Sequence, residues 1–163
     1  MYIQQSDVLR GLSKEFVKTV MDLAHKEDHK RGFVLFREGD RASHFFILLK
    51  GRVNITLGET GHTVYTVDHA GDAFGLSSLI GRERYIASAE CKEPTKLLRF
   101  STKEFEKAIE ADPVNSLVFF RRLAGVLGGR LFQTFKMVSG AAQSESSLSY
   151  GTGQVMESDA TVS

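Results

Sequence analysis

Residues 71–89, G-D-A-F-G-L-S-S-L-I-G-R-E-R-Y-I-A-S-A, decide the fold and point to a binding site. The stretch opens with a Gly-Asp pair, which is typical of a turn, and a second turn is predicted at Gly81. Small residues between the two turns leave backbone N–H groups accessible, and Arg82 and Arg84 follow just before a strand-like run. Because N–H groups beside a guanidinium are the donors that a phosphate needs, the stretch predicts an anion site.

Alternating apolar and polar residues surround this stretch from Gly32 to Phe100, and a period of two predicts β-strands. Glycine-containing turns separate these short runs at regular intervals. Such a pattern is typical of a sandwich or a barrel, and we expect an antiparallel β jelly-roll barrel (a double-stranded β-helix) over residues 32–100. The predicted strands are residues 33–36, 44–49, 52–57, 62–67, 85–90 and 96–100.

Three helices are predicted around the strands, which makes the fold class α+β. Apolar residues at spacings of three and four predict one helix over residues 6–27, with Ser13 as a good N-cap. Residues 101–104, S-T-K-E, form a capping box that opens a second helix ending near Ile109. Asp112 and Pro113 open the third and longest helix, predicted over residues 112–138.

The longest predicted helix carries apolar residues at alternating spacings of three and four, as in a coiled coil. Two interpretations stay open: the stripe packs on the chain's own barrel, or it faces another copy of the chain in a homodimer. We call these positions the seam residues; they are Leu117, Phe120, Ala124, Leu127, Leu131, Thr134 and Val138.

The composition changes at Ser139, where Ser, Gly, Ala, Gln and Thr become dominant and no hydrophobic period continues. The sequence therefore predicts one domain over residues 1–138 and a disordered tail over residues 139–163.

Four motifs in this order resemble the cyclic-nucleotide-binding domain family, which includes the bacterial catabolite activator and the regulatory subunits of protein kinase A. They are V-L-R-G-L-S at residues 8–13, F-R-E-G-D at 36–40, F-I-L-L-K-G-R-V at 46–53 and the stretch 71–89, which we call the cassette. The resemblance covers residues 8–131. It implies a cyclic-nucleotide-binding regulatory module with cyclic AMP or cyclic GMP as ligand and the long helix as the readout.

In that family, a short helix in the cassette offers backbone amides to the cyclic phosphate and an arginine before the next strand binds it. Arg84 directly precedes the predicted strand, and Arg82 is the second candidate for this arginine. Tyr85 stands where the family usually has Ser or Thr, and Thr134 falls near a threonine that contacts the base. The ligand-binding residues that the resemblance implies are Gly75, Leu76, Ser77, Ser78, Arg84, Tyr85 and Thr134.

An alternative function follows from Leu76, which replaces the glutamate that receives the ribose hydroxyl in the family. A leucine side chain accepts no hydrogen bond. The chain would then be a degenerate domain that binds no nucleotide and acts as a protein-interaction or dimerisation scaffold.

Other functions are weakly supported by the sequence. A net charge of +1, and no basic recognition helix after residue 138, lead us to expect no DNA binding by this chain alone. His25 and His29 have the i, i+4 spacing of a helical metal site, but no carboxylate pair completes it, so we expect no metal and no cofactor. We also expect no enzymatic activity, since no catalytic motif is present.

The cellular setting is predicted from absences. The sequence has no apolar run of the length of a membrane span, no visible secretory signal and one cysteine, Cys91. We therefore expect a cytoplasmic protein that does not associate with a membrane, with Cys91 as a small buried residue.

Overall fold

The computed structural model describes residues 5–151, with side chains described as far as residue 143. Two compact units divide the chain, residues 1–126 and residues 127–163. All eight strands of the described residues lie in the first unit.

The strands form two four-stranded sheets in which every pairing is antiparallel. In order across the first sheet, the strands are β1 (His25–His29), β8 (Thr95–Ser101), β3 (His44–Lys50) and β6 (Ala73–Phe74). In order across the second sheet, they are β2 (Val34–Phe36), β7 (Ser88–Cys91), β4 (Val53–Leu57) and β5 (His62–Val67). The alternating pattern of the sequence correctly predicted six of these eight strands.

The core lies between the two sheets, because apolar residues from both belong to one buried cluster. Phe46, Phe74 and Leu97 come from the first sheet, and Val53 and Ala89 come from the second. Three helices beside two antiparallel sheets confirm the α+β class. Among the described residues the sheets do not close into a barrel, and the jelly-roll arrangement stays a prediction.

The first helix, α1 (Lys14–Asp22), is shorter than predicted, since residues 25–29 form β1 instead of its last turn. Ser13 is the N-cap, as expected, and its hydroxyl accepts a hydrogen bond from the Phe16 amide at 3.2 Å. The sequence H-K-E-D-H of β1 has no hydrophobic alternation of its own, and its conformation comes from pairing with β8. His25 and His29 therefore lie on a strand and not on a helix face.

The second helix, α2 (Thr102–Glu110), begins where the capping box predicted, with the Ser101 hydroxyl accepting from the Glu104 amide at 3.4 Å. The third helix, α3 (Pro113–Gly151), extends past the predicted boundary at residue 138. Residues 139–151 belong to α3 in the structure, and disorder over residues 139–163 stays a prediction. The remainder, residues 152–163, lies outside the described residues.

In the first unit, α3 packs through Phe119 and Leu123, which are buried, and through Asn115 in its first turn. The side-chain oxygen Oδ1 of Asn115 accepts a hydrogen bond from the Ser13 backbone N–H at 2.9 Å, which joins α3 to the cap of α1. The seam residues Leu117 and Phe120 are instead 55% and 42% exposed. These two side chains are therefore not buried against the sheets, and both interpretations of the seam as a whole stay open.

In the second unit, residues 127–151 belong to α3, and its described side chains from Leu131 to Gln143 are exposed. Large apolar side chains are among them, namely Leu131, Phe132, Phe135, Met137 and Val138. Within the part of the chain that the structure describes, none of the helices is long and apolar enough to cross a membrane.

Candidate functional site

The cassette contains a short helix, as the resemblance implies; it is a 3-10 helix over Leu76–Ile80. Gly75 before it and Gly81 after it have left-handed backbone conformations with φ of 66° and 78°, which glycine adopts at little cost. The first amides of such a helix have no acceptor within the helix. Anion binding by these amides stays a prediction.

The start of the cassette is fixed by an N-terminal segment whose role the sequence did not reveal. The Ser6 hydroxyl donates to the Gly71 carbonyl at 2.8 Å, and the Asp7 carboxylate accepts from the Ala73 amide at 3.1 Å. Leu48 on β3 also exchanges backbone bonds with Gly71 and Asp72. These bonds anchor the cassette to the first sheet.

Arg84 is exposed and is held by the turn that follows β2. Its Nη1 donates to the Gly39 carbonyl at 2.7 Å, and backbone bonds join residues 83–85 to residues 39–42. Among the described residues no carboxylate lies within 4.0 Å of this guanidinium. The Gly39-Asp40 turn, recognised in the sequence as a separate motif, thus positions the predicted phosphate ligand.

Tyr85 points to the opposite side of the backbone from Arg84, into the core, where it is 5% exposed. Its ring stacks on Phe36, with centroids 3.8 Å apart, and its hydroxyl donates to the His44 carbonyl at 2.6 Å. Burial raises the pKa of this phenol above its usual value, so it stays protonated near neutral pH.

The inner side of the cassette is apolar. A Cβ on Gly75 would lie 2.9 Å from the Phe46 ring and 3.1 Å from the Phe36 ring, and Leu76 is buried. The rings of Phe36, Phe46 and Tyr85 border a cavity of about 320 Å³. The position of the family's ribose-binding glutamate is therefore a packed aliphatic side chain.

The outer side of the cassette is polar and borders a larger cavity of about 890 Å³, which we call the outer cavity. It lies between the loop of residues 81–84, residues 41–44 at the start of β3, and the beginning of α2. Arg82 and Arg84 line it together with Arg41 and Lys103, which the sequence did not single out. These segments are distant in the sequence and meet only in the folded chain, so no local sequence pattern could identify Arg41 and Lys103 as neighbours of the cassette.

The remaining predicted site residues, Ser77, Ser78 and Thr134, lie in three different places. Ser77 is buried, and the Ser78 hydroxyl hydrogen-bonds the Thr102 hydroxyl at 2.6 Å, at the outer cavity. Thr134 is exposed on α3 in the second unit, where its hydroxyl donates to the Arg130 carbonyl at 3.0 Å. Its contact with a nucleotide base stays a prediction.

Other candidate residues have structural explanations. Cys91 is buried in the core, and burial raises the pKa of its thiol above its usual value. Asp68, His69 and Asp72 place three potential metal-ligand atoms within 4.8 Å of one another. The exposed His69 Nδ1 lies 2.9 Å from Asp68 Oδ1 and 3.7 Å from Asp72 Oδ2, so direct contacts of the imidazole account for the cluster.

Comparison with known proteins gives a consistent result. The family model for the cyclic nucleotide-binding domain matches residues 26–112. An uncharacterized protein of Mycobacterium tuberculosis is 35% identical over 83 residues, 51% of this chain and 16% of that protein. The cGMP-dependent protein kinase egl-4 of Caenorhabditis elegans is 25% identical over 112 residues, which is 66% of this chain and 14% of the kinase.

The fold matches as well. A cyclic nucleotide-binding domain from Methylobacillus flagellatus superposes with a TM-score of 0.73 at 21% identity, covering 85% of this chain and 79% of that one. The matched region spans about one sixth of the length of the two curated relatives, so it corresponds to one part of each. The cassette, the two sheets and the matched region of 87 residues, more than half the chain, place this protein in the cyclic nucleotide-binding domain family.

Proposed function

We propose that this chain is a regulatory module that binds a cyclic nucleotide, with the ligand's phosphate held by Arg84 and by the first amides of the cassette helix. The supporting observation is the state of Arg84, which is exposed, oriented by the Gly39 carbonyl and paired with no described carboxylate. A planar guanidinium in this condition has donors left for two phosphate oxygens and keeps its charge at any physiological pH.

The geometry favours Arg84 over Arg82. The Arg82 amide donates to the Ser77 carbonyl at 3.1 Å, but its exposed side chain has no hydrogen bond with any described residue. An arginine whose guanidinium is already oriented loses less conformational entropy when it binds a phosphate. Arg82 is therefore the natural control for Arg84.

The proposed readout is α3, which begins directly after α2 and carries exposed seam residues. A ligand that changes the packing of the cassette changes the population of α3 conformations, if its affinity differs between them. The contact that responds is a homodimer or a partner protein at the seam.

A calorimetric titration with cyclic AMP and cyclic GMP tests the proposal. We expect micromolar affinity for one of them and a loss of about tenfold to a hundredfold in Arg84→Ala, the value of a hydrogen bond to a charged group. Arg82→Ala is expected to retain most of the affinity. Equal affinity of the parent and Arg84→Ala would contradict the role of Arg84.

A second function, the scaffold without a nucleotide, is favoured by the stacking of Tyr85 on Phe36 and by the buried Leu76. Both place apolar atoms on the inner side of the cassette, where a ribose and a base would need polar partners. In this case neither nucleotide binds at millimolar concentration, and the oligomeric state is the same with and without them.

A further inference from the structure

The outer cavity is lined by more cationic than acidic side chains. Arg41, Arg82, Arg84 and Lys103 line it, against two carboxylates, those of Glu83 and Glu106. Within the described residues, none of the four cations lies within 4.0 Å of a carboxylate. Four cations at one cavity repel each other, and no internal ion pair offsets that repulsion.

These cations come from three separate elements, so they surround the cavity rather than forming a row along one surface. Arg41 precedes β3, Arg82 and Arg84 belong to the cassette, and Lys103 lies in the first turn of α2. An isolated β-bridge between Arg41 and Arg84 fixes the first two walls relative to each other. The third wall is fixed by the Thr102 amide, which donates to the Ser43 carbonyl at 3.0 Å.

A hydroxyl pair also lies at the cavity, and its mutual hydrogen bond leaves one hydroxyl hydrogen for a ligand. The Ser78 and Thr102 hydroxyls hydrogen-bond each other at 2.6 Å where the cassette meets α2. The amide end of α2 adds a partial positive charge on the same side. A volume of about 890 Å³ is within the range of small-molecule sites and is much larger than one phosphate requires.

We propose that the outer cavity is a second binding site, for a small molecule that carries at least two phosphate groups. Its cations come from three separate elements around one cavity, which suits a ligand with two phosphates better than a single phosphate. The two carboxylates, Glu83 and Glu106, are acceptors for the hydroxyl groups of such a ligand. The site goes beyond the proposed function, because Arg41 and Lys103 are not part of the cassette.

Occupation of this site has a consequence for regulation. A ligand between Arg41, Arg84 and Lys103 ties the cassette loop to the first turn of α2, the helix that leads into α3. It also withdraws Arg84 from other partners. The two sites are therefore coupled through Arg84, and a ligand at one lowers affinity at the other.

The experiment is a calorimetric titration of the full chain with inorganic pyrophosphate, with orthophosphate for comparison. We expect pyrophosphate to bind more tightly than orthophosphate, and Arg41→Gln and Lys103→Gln each to weaken it about tenfold or more. Arg31→Gln, which removes an exposed charge outside the cavity, is the matched control and is expected to leave the affinity unchanged. All three positions are exposed, so the variants are expected to fold, which circular dichroism verifies.

Three results would overturn the proposal: no pyrophosphate binding at millimolar concentration, equal affinity for the two anions, or equal affinity of Arg41→Gln, Lys103→Gln and the parent. Titration of the same variants with cyclic AMP and cyclic GMP separates the two proposals. If Arg84→Ala loses a cyclic nucleotide while Arg41→Gln and Lys103→Gln keep it and bind pyrophosphate unchanged, the proposed function stands and the second site fails. If pyrophosphate binds as expected and neither cyclic nucleotide does, the second site stands alone.

Discussion

Tyr85 and Phe36 stack with their ring planes 15° apart and their centroids 3.8 Å apart, on the inner side of the cassette. Their neighbour Arg84 is on the outer side, bonded to Gly39. One extended segment therefore separates an aromatic interior from a cationic exterior. The two sides of the cassette can be changed independently by substitution.

Replacing Tyr85 by serine is expected to destabilise the protein by about 3 kcal/mol, because a buried ring is removed from the core. Tyr85→Phe keeps the stack and removes the bond to the His44 carbonyl, so it is expected to cost about 1 kcal/mol. Urea denaturation of both variants measures the difference. Equal losses would mean that the hydroxyl, and not the ring, stabilises this side of the cassette.

Gly75→Ala is expected to lower the free energy of unfolding by roughly 2 kcal/mol or more, since its φ is 66° and the new methyl would meet two rings. Gly81→Ala is the matched control, with φ of 78° and no atom within 4 Å of the added carbon. We expect about 1 kcal/mol there, from the backbone alone. The additional loss of unfolding free energy in Gly75→Ala, relative to Gly81→Ala, measures how closely the cassette approaches Phe46 and Phe36.

The sequence predicted the elements that local signals encode. The Ser101 cap of α2 and the alternating run of β3 each depend on neighbouring residues, and both lie where the pattern predicted. Strand β1 was missed because its conformation comes from β8, about seventy residues later in the chain. Local patterns cannot show a pairing of that range.

The site was predicted in part. Arg84 and the cassette helix could be located from the resemblance to the family, but the direction of each side chain could not. In an extended segment the residue that enters the core is set by the strand's pairing, so a shift of one position exchanges Arg84 and Tyr85. The contributions of Arg41 and Lys103 depend on how three distant segments pack.

Stability is expected to fall as the pH drops below about 6.5, in part through His44. Partial burial lowers the pKa of His44 from its ordinary value of 6.5, and the nearby Arg99 lowers it further. His25 acts in the same direction, while Glu27 and Glu104 oppose it. In acid the unfolded chain therefore takes up this proton before the folded chain does, and the stability present above pH 6.5 is lost.

Thermal unfolding between pH 5 and pH 8 measures this effect, within the range where histidine titrates. His44→Gln is expected to have a shallower loss of stability in acid than the parent. His62→Gln, at an exposed position of β5, controls for the removal of a histidine. A parent and a His44→Gln variant with parallel profiles would exclude a contribution from this residue.

The seam of α3 gives the prediction that bears on signalling. Leu131 and Val138 are 52% and 64% exposed, and Leu117 is exposed nearer the start of the helix. If the seam joins two copies, Leu131→Glu places a charge in an apolar contact and is expected to convert a dimer into a monomer. Gln133→Glu adds the same charge to the same helix at a position outside the seam, so it is expected to remain dimeric. Sedimentation equilibrium at micromolar concentration distinguishes the dimer from the monomer. A monomeric parent would exclude a homodimer at this seam, and so would equal masses of the two variants. The partner at the seam would then be a different protein.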